Sequence, residues 1–399
     1  MRSFYDSIFF NVPHLRFPEF SGEWNKCTIN DLATVVGGGT PDTTVKSYWG
    51  GDIQWFTPSE IGKNKYVDFS LRTITRDGLD NSSAKLLPLH TILLSSRATV
   101  GECSIASNEC TTNQGFQSLI AKQCNIDFLY YLIQTKKKDL IRNACGSTFL
   151  EISANEIRKI KVAVPVQNEQ EQIAKLLSLI DERIATQNKI IEKLQSLIKG
   201  LVDELMTVLL KGKLYPFSSF YIKAGEGGTP TTSVVEYYTE GTIPFIKIED
   251  LSCKYLTNNK DFITELGMQK SSAWLIPSKS VIYSNGATIG AISINEYPVC
   301  TKQGILGIVP NTNINVEYLY LLMSSSYFSK EISRIITEGT MKTAYLKDIN
   351  HIKCPLPSMA QQKNITNLTS SIEEKLSIEQ ELLRFLNLQK QYLLHMMFI

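Results

Sequence analysis

EQEQIAKLLSLIDERIATQNKIIEKLQSLIKGLVDELMTVLL, residues 169–210, decides how the rest of the chain is read. Within it Ile173, Leu177, Ile180, Ile184, Gln187, Ile191, Leu194, Ile198, Leu201 and Leu205 recur at alternating intervals of 4 and 3. That is the spacing of a coiled-coil seam, in which one face of a helix stays apolar. Gln187 is the polar exception. A second such stretch runs from Ala360 to Phe398, and an offset of 192 lays Ile365, Ile372, Leu376, Glu379, Leu383, Leu386 and Leu393 over members of the first seam. The polar position repeats, Gln187 falling on Glu379. At about 1.5 Å per residue each helix would be roughly 60 Å long, too long for an ordinary core helix and suited to a spacer between two other parts.

Repetition extends beyond the helices. Gly39-Thr40-Pro41 recurs as Gly228-Thr229-Pro230, Ser83-Ala84-Lys85-Leu86-Leu87-Pro88 as Ser272-Ala273-Trp274-Leu275-Ile276-Pro277, and Ala98-Thr99-Val100-Gly101 as Ala287-Thr288-Ile289-Gly290. Gln114-Gly115 matches Gln303-Gly304, and Val164-Pro165 matches Leu356-Pro357, with the offset drifting only from 189 to 192. A period this long marks domain duplication rather than a solenoid. Each globular copy mixes short β-branched runs, Thr91–Leu94 and Ser280–Tyr283, with helical stretches expected at Asp127–Lys138 and Val316–Ser333. The expected class is α/β or mixed α+β, duplicated: a globular domain over 1–167, a helix over 168–210, a second domain over 211–358 and a second helix over 359–399.

Composition narrows the function. With 43% apolar residues among 399, both copies can fill real cores. The first seventeen residues do not read as a signal peptide, and no apolar run is long enough to span a membrane. Eight cysteines show no CxxC pair and the histidines number four, so no zinc-ligand spacing exists, and scattered thiols of this kind suit a reducing cytosol and buried, inert positions. Net charge is +2, and the two globular copies are balanced, 14 basic against 13 acidic residues over 30–160 and 12 against 12 over 219–357. A self-sufficient DNA binder needs a basic excess to neutralise phosphates, so a DNA reader of this charge needs a partner that helps to hold the duplex.

No catalytic constellation emerges. The Gly37–Pro41 and Gly227–Pro230 turns could form backbone nests for a phosphate, but neither continues as GK[ST], and proline removes a donor; a plain tight turn is the simpler reading. His14, His90, His351 and His395 occupy different places in the two copies, unlike a catalytic pair duplicated with its domain. Glu373-Glu374-Lys375, the one half-motif of a metal nuclease, lies in the second long helix and reads as a solvated face. The Asn/Asp-Pro-Pro-Phe/Tyr motif of a base-flipping methyltransferase is absent.

Polar residues beside the repeated turns are the candidates for touching DNA: Thr40, Ser96, Arg97, Thr99, Asn113 and Gln114 in the first copy, Thr229, Asn285, Thr288, Lys302 and Gln303 in the second. Arg97 aligns with Gly286, Ser96 with Asn285, and Asn113 with Lys302. A shared scaffold with differing polar tips suits two units that read different bases, since Arg or Lys pairs with guanine and Asn or Gln with adenine. Ordinary loop drift explains any single difference equally well.

These features together resemble the specificity subunit of type I restriction-modification systems. The marks are the opening Val12-Pro13-His14-Leu15-Arg16-Phe17-Pro18 with Trp24, the Gly-Gly-Thr-Pro turns, Ser96-Arg97-Ala98-Thr99-Val100-Gly101, and Gly339-Thr340 leading through Pro355-Leu356-Pro357 to Gln361-Gln362. The resemblance implies two target-recognition domains that each read half of a bipartite, asymmetric double-stranded DNA site. It implies that the long helices pair antiparallel as a coiled-coil ruler, on which two modification subunits dock and to which restriction subunits are added. Catalysis would then lie in those partners, with S-adenosylmethionine, ATP and Mg bound there and no cofactor in this chain, inside a bacterial or archaeal cytoplasm. Gln187 and Glu379, if buried together, would fix the register of the pair. Two other readings stay open on residues alone: the recognition part of a fused methyltransferase-endonuclease, and a coiled-coil scaffold binding protein or glycan.

Overall fold

The computed structural model describes residues 12–146, 150–286, 288–336 and 342–399; Ala287 and the Gly339-Thr340 pair lie outside the described residues. The chain divides into two compact units, Met1–Asn188 with Glu381–Ile399, and Lys189–Gln380.

In the first unit the apolar β-branched runs form a five-stranded sheet in the order Ala33–Gly37, Gln117–Ala121, Ile92–Leu94, Cys103–Ala106, Tyr66–Val67. Its pairings are antiparallel except at the Tyr66–Val67 edge, which runs parallel to its neighbour. A three-stranded sheet, Arg72–Ile74, Trp49–Phe56, Cys110–Thr112, lies beside it, and Asn25–Thr28 pairs with Lys161–Val164. The second unit repeats this order strand for strand: Tyr221–Glu226, Ile305–Pro310, Val281–Ser284, Ile292–Asn295, Tyr255–Leu256 in one sheet, Asp261–Ile263, Ile243–Ile246, Cys300–Thr301 in the next, and Leu214–Pro216 with Lys353–Pro355. The fold is mixed α/β, duplicated.

The helical stretches expected in each copy are broken in two. Ile126–Thr135 and Lys137–Arg142 are separated where Lys136 turns (φ −89, ψ 7). Val316–Ser324 and Ser326–Ile335 are separated by Ser325, which is extended and whose hydroxyl accepts from the Phe328 N–H at 3.2 Å to start the next helix. Asn125 and Asn315 cap the first helix of each pair.

The long helices span Gln167–Leu209 and Met359–Met396. In the first unit Leu176–Gln187 lies along Leu382–Gln389, and Lys390 meets Asp181 at 2.6 Å, so the two segments run antiparallel. The second unit repeats this with Gln195–Asp203 along Ser370–Gln380. Each helix is also domain core. Ile173, Leu177 and Ile180 pack with Trp24, Phe128 and Leu132, joined by Leu393 and Phe398 from the other helix. Every seam position named above faces inward: Ile173, Leu177, Ile180, Gln187, Ile191, Ile365, Leu386 and Leu393 are buried, and Ile184, Leu194, Ile198, Leu201, Leu205, Ile372, Leu376, Glu379 and Leu383 half-buried. Toward Leu209 the inward face moves one residue on, to the buried Val202 and Met206. A straight helix turns every 3.6 residues and drifts about 20° per heptad off a 3.5 repeat.

A charged anchor sets the start of the first long helix. Glu169, with 0% exposure, takes both arms of Arg16 at 2.7 Å and the Trp24 indole N–H at 3.2 Å. In the second copy Gln361 stands here, exposed, its side chain turned back to Ser358. The next residue is treated alike in both. Buried Gln170 accepts from the Asn125 N–H at 3.0 Å and donates to the Pro165 carbonyl, and buried Gln362 accepts from the Asn315 N–H at 2.7 Å and donates to the Pro357 carbonyl.

Removing one side of a buried ion pair strands the other charge, which costs about 3–5 kcal/mol. Arg16→Ala is therefore expected to destabilise the first unit by that order in chemical denaturation followed through tryptophan fluorescence, and Arg16→Ala with Glu169→Gln to recover part of the loss. An Arg16→Ala protein as stable as the parent would remove the anchor from the account. Burial also pushes the Cys103, Cys110, Cys124 and Cys354 thiols up to about 12 and Cys300 to about 11. Raised thiols stay protonated below those values, so at pH 8 about one part in a thousand or less is thiolate. Native alkylation followed by mass mapping is expected to label the exposed Cys145 and Cys253 and to spare these five until the protein unfolds.

Candidate nucleic-acid interface

The repeated Gly-Thr-Pro turns are built by close backbone approach. A Cβ at Gly39 would lie 2.3 Å from Ala84 N, one at Gly228 2.5 Å from Ala273 N, and one at Gly38 2.0 Å from the Asn113 carbonyl. Several of their N–H groups are already committed: Gly38 donates to the Phe116 carbonyl at 3.4 Å, Gly39 to that of Thr112 at 2.8 Å and Gly227 to that of Ile305 at 2.9 Å. The turns are therefore packing devices and not phosphate nests.

The Ser-x-x-Ala-Thr-x-Gly stretches form a matched turn. Ser95 N donates to the Glu102 carbonyl and Gly101 N to that of Ser95; Ser284 and Ala291, then Gly290 and Ser284, repeat both bonds. Gly101 (φ 89) and Gly290 (φ 103) sit in the left-handed region, which explains the repeated glycine.

In the first unit these turns gather most of the candidates on one surface. The Thr40 hydroxyl bonds the Gln114 side chain, Ser96 N donates to the Gly115 carbonyl, and Asn113 accepts from the Gly115 N–H at 2.9 Å. Arg97 and Thr99 are exposed, Gln114 is exposed, and Thr40 and Asn113 are half-buried. The second unit does the same with Thr229, Lys302 and Gln303: Gln303 N approaches the Thr229 hydroxyl at 3.4 Å, and Lys302 N is held by the Ile246 carbonyl, while Thr288 is exposed.

Two candidates belong elsewhere. Ser96 and Asn285 are fully buried, at 0% and 1% exposure. Ser96 accepts from the Ile152 N–H through its carbonyl, and Asn285 accepts from and donates to the Ala344 backbone. They clamp the following loop to the turn and present no edge to a ligand. Likewise Glu373 is no solvated residue: it takes the Lys254 ammonium.

Glu151, which no sequence pattern picks out, faces this surface. It bridges the Arg97 backbone and pairs loosely with the guanidinium at 3.9 Å, both side chains about half exposed. An ion pair so placed contributes little to stability and releases its arginine readily. Two residues past Thr40, Asp42 accepts from the Thr44 hydroxyl and N–H, which hold its carboxyl below the usual range and keep it an acceptor. Where the first copy has Arg97 the second has Gly286, at which a Cβ would meet the Gly304 Cα closely, at 3.2 Å.

The four histidines are exposed, and of them His14 and His395 line one pocket in the first unit. Among the described residues, no cluster of three His, Cys, Asp or Glu side chains is placed to hold a metal, and no helix is long and apolar enough to cross a membrane.

Comparison with known proteins accounts for this arrangement. A family model described as the type I restriction modification DNA specificity domain matches residues 21–196 and again 220–387. The type I restriction enzyme MjaIX specificity subunit of Methanocaldococcus jannaschii is 29% identical over 382 residues, covering 89% of this chain and 88% of that protein. The EcoR124I/EcoR124II specificity subunit of Escherichia coli is 29% identical over 175 residues, 42% of this chain and 43% of its own. Among solved structures, the type I S subunit of M. genitalium shares the fold, with a TM-score of 0.56 at 19% identity over 97% of this chain and 99% of that one. With both halves matched by one family model, the chain belongs to the type I restriction modification DNA specificity family, a non-catalytic specificity component of the restriction enzyme.

Proposed function

We propose that the chain reads a bipartite, asymmetric double-stranded DNA site, one half-site per unit, and scaffolds two modification subunits and the restriction subunits in the cytoplasm of a bacterium or archaeon. The observation that carries this reading is one sheet topology occurring twice, with matched turns that present different exposed side chains. Thr40 and Thr229, Thr99 and Thr288, and Gln114 and Gln303 are the same in both copies and suit backbone and sugar contacts, which position without specifying. Arg97 opposite Gly286, and Asn113 opposite Lys302, differ; Arg97, Asn113 and Lys302 are the residues assigned to base edges.

The partners follow from what the chain lacks and what it leaves exposed. Near-neutral charge leaves phosphate neutralisation to other subunits. Beyond the inward seam, the second long helix keeps Leu382, Phe385, Leu388 and Tyr392 between 40% and 56% exposed, an outward apolar row that suits helices of a docked modification subunit. S-adenosylmethionine, ATP and Mg are assigned to those partners.

Co-expression of the chain with its modification subunit is expected to methylate a bipartite site, whereas the chain alone transfers no methyl group; transfer by the chain alone would sink the reading. Within that complex, Arg97→Ala is expected to relax selection at one half-site by about 1–3 kcal/mol, roughly 5- to 150-fold between bases, with the melting temperature unchanged. Inserting or deleting one heptad beside both Gln187 and Glu379 is expected to change the length of the unread gap and leave both half-sites as they were. Methylome sequencing of a strain carrying each variant reads both outcomes, and an unaltered gap would count against the spacer.

A further inference from the structure

A lysine is held at the same place in both copies, where the edge strand of the large sheet meets a long helix. Lys65 precedes Tyr66–Val67, and its carbonyl accepts from the Ile105 N–H at 2.7 Å, so its backbone belongs to the sheet. Its side chain is only 9% exposed, and its ammonium reaches Asp127 at 2.7 Å, Ser178 of the long helix at 2.7 Å and the Tyr131 hydroxyl at 3.3 Å. Lys254 does the same in the second unit: its carbonyl accepts from Ile294 N at 2.7 Å, its side chain is 13% exposed, and its ammonium meets Glu317 at 3.6 Å and Glu373 of the other long helix. The ring over which each lysine lies is repeated, Tyr130 at 5.8 Å and Tyr320 at 5.6 Å. So is the adjoining hydroxyl, Tyr66 donating to Asp127 and Tyr255 to Glu317.

An apolar side chain would seal such a junction at least as well, because burying an ammonium surrenders its hydration, and replacing a buried ion pair by hydrophobic residues is often neutral or stabilising. What the lysine adds is direction. Apolar surfaces slide over one another at small cost, whereas an ammonium held between a carboxylate beside the sheet and a group on the long helix, as Lys65 is between Asp127 and Ser178 and Lys254 between Glu317 and Glu373, is satisfied at few settings of sheet on helix. We propose that Lys65 and Lys254 are positioning residues that fix the orientation of each recognition sheet on its long helix, and so set how strictly the length of the unread gap between half-sites is enforced. This rests on the bipartite reading proposed above. The lysines touch no base; they act through the large sheets, whose strands Ile92–Leu94 and Ile305–Pro310 adjoin the loops that carry Arg97 and Lys302. Their acidic partners exchange Asp127 for Glu317, while the contact to the long helix passes from Ser178 to Glu373, yet the tie is kept in both units.

The test uses the full chain assembled with its modification subunit, assayed for methylation on duplexes that carry the two half-sites with the native gap and with one base pair more or fewer. Lys65→Met and Lys254→Met, singly and together, keep the stem volume and remove the charge. The expected result is a rise of at least tenfold in the rate ratio of altered to native gap, greatest in the double variant, with base selection inside each half-site unchanged and Lys→Arg partly restoring strictness. Unchanged gap strictness in Met variants that assemble normally would overturn the proposal. If those variants fail to fold, Asp127→Asn and Glu317→Gln remove the partner charges and carry the same expectation and the same reversal. A wild-type complex that shows no preference for any bipartite duplex would instead overturn the underlying reading, before any variant is compared.

Discussion

A helix with one apolar face must cover that face along its whole length, and in this chain the cover changes identity along the way. At the start of the first long helix it is domain core: Ile173 and Leu177 lie among Trp24, Phe128 and Leu132. Farther along it is the antiparallel segment of the other helix, with Lys390 pinned to Asp181. Near its end it is core again, where Val202 and Met206 meet Phe217, Phe328 and Ile365. The long helices therefore do not merely join folded domains; each compact unit is complete only with a portion of both. A change in seam composition must alter the domains as well as the spacer, because the same residues serve both.

Much of this was legible in the residue order because duplication leaves the same physical demands written twice. The glycines that recur at 39 and 228 answer a close backbone approach, those at 101 and 290 a left-handed turn, and both demands are local enough to survive in a short motif. What stayed hidden depends on partners far away in sequence. Nothing near Glu169 announces Arg16 and Trp24, which lie 153 and 145 residues away. Nothing near Asn285 announces the Ala344 backbone that buries it. The helix breaks at Lys136 and Ser325 leave no mark in the apolar periodicity, which runs across both; only at Ser325 does the residue itself, a good N-cap, offer a signal.

Comparing the copies separates scaffold from specificity only when burial is added to identity. Ser96 and Asn285 differ between the copies and invite a base-reading role, yet both are sealed in and do the same work on the loop behind them. Arg97 and Gly286 also differ, and here the difference reaches solvent: one copy extends a guanidinium, while the other has a glycine packed against Gly304. A difference between repeats carries information about a ligand only where a ligand can arrive.

The weak electrostatics of the chain fit the same division. A reader that bound phosphates strongly by itself would settle on any duplex, since that attraction is blind to sequence. In the complex proposed above, balanced charge on each unit and an exposed arginine held only loosely by Glu151 leave most of the affinity to partners that enclose the DNA. Selection by base edges is then a larger share of what this chain contributes. The geometry with which it offers those edges therefore matters more than the strength with which it holds them. That places the weight of the design on rigid joints such as those at Lys65 and Lys254, where desolvated charge is retained although apolar packing would have closed the gap.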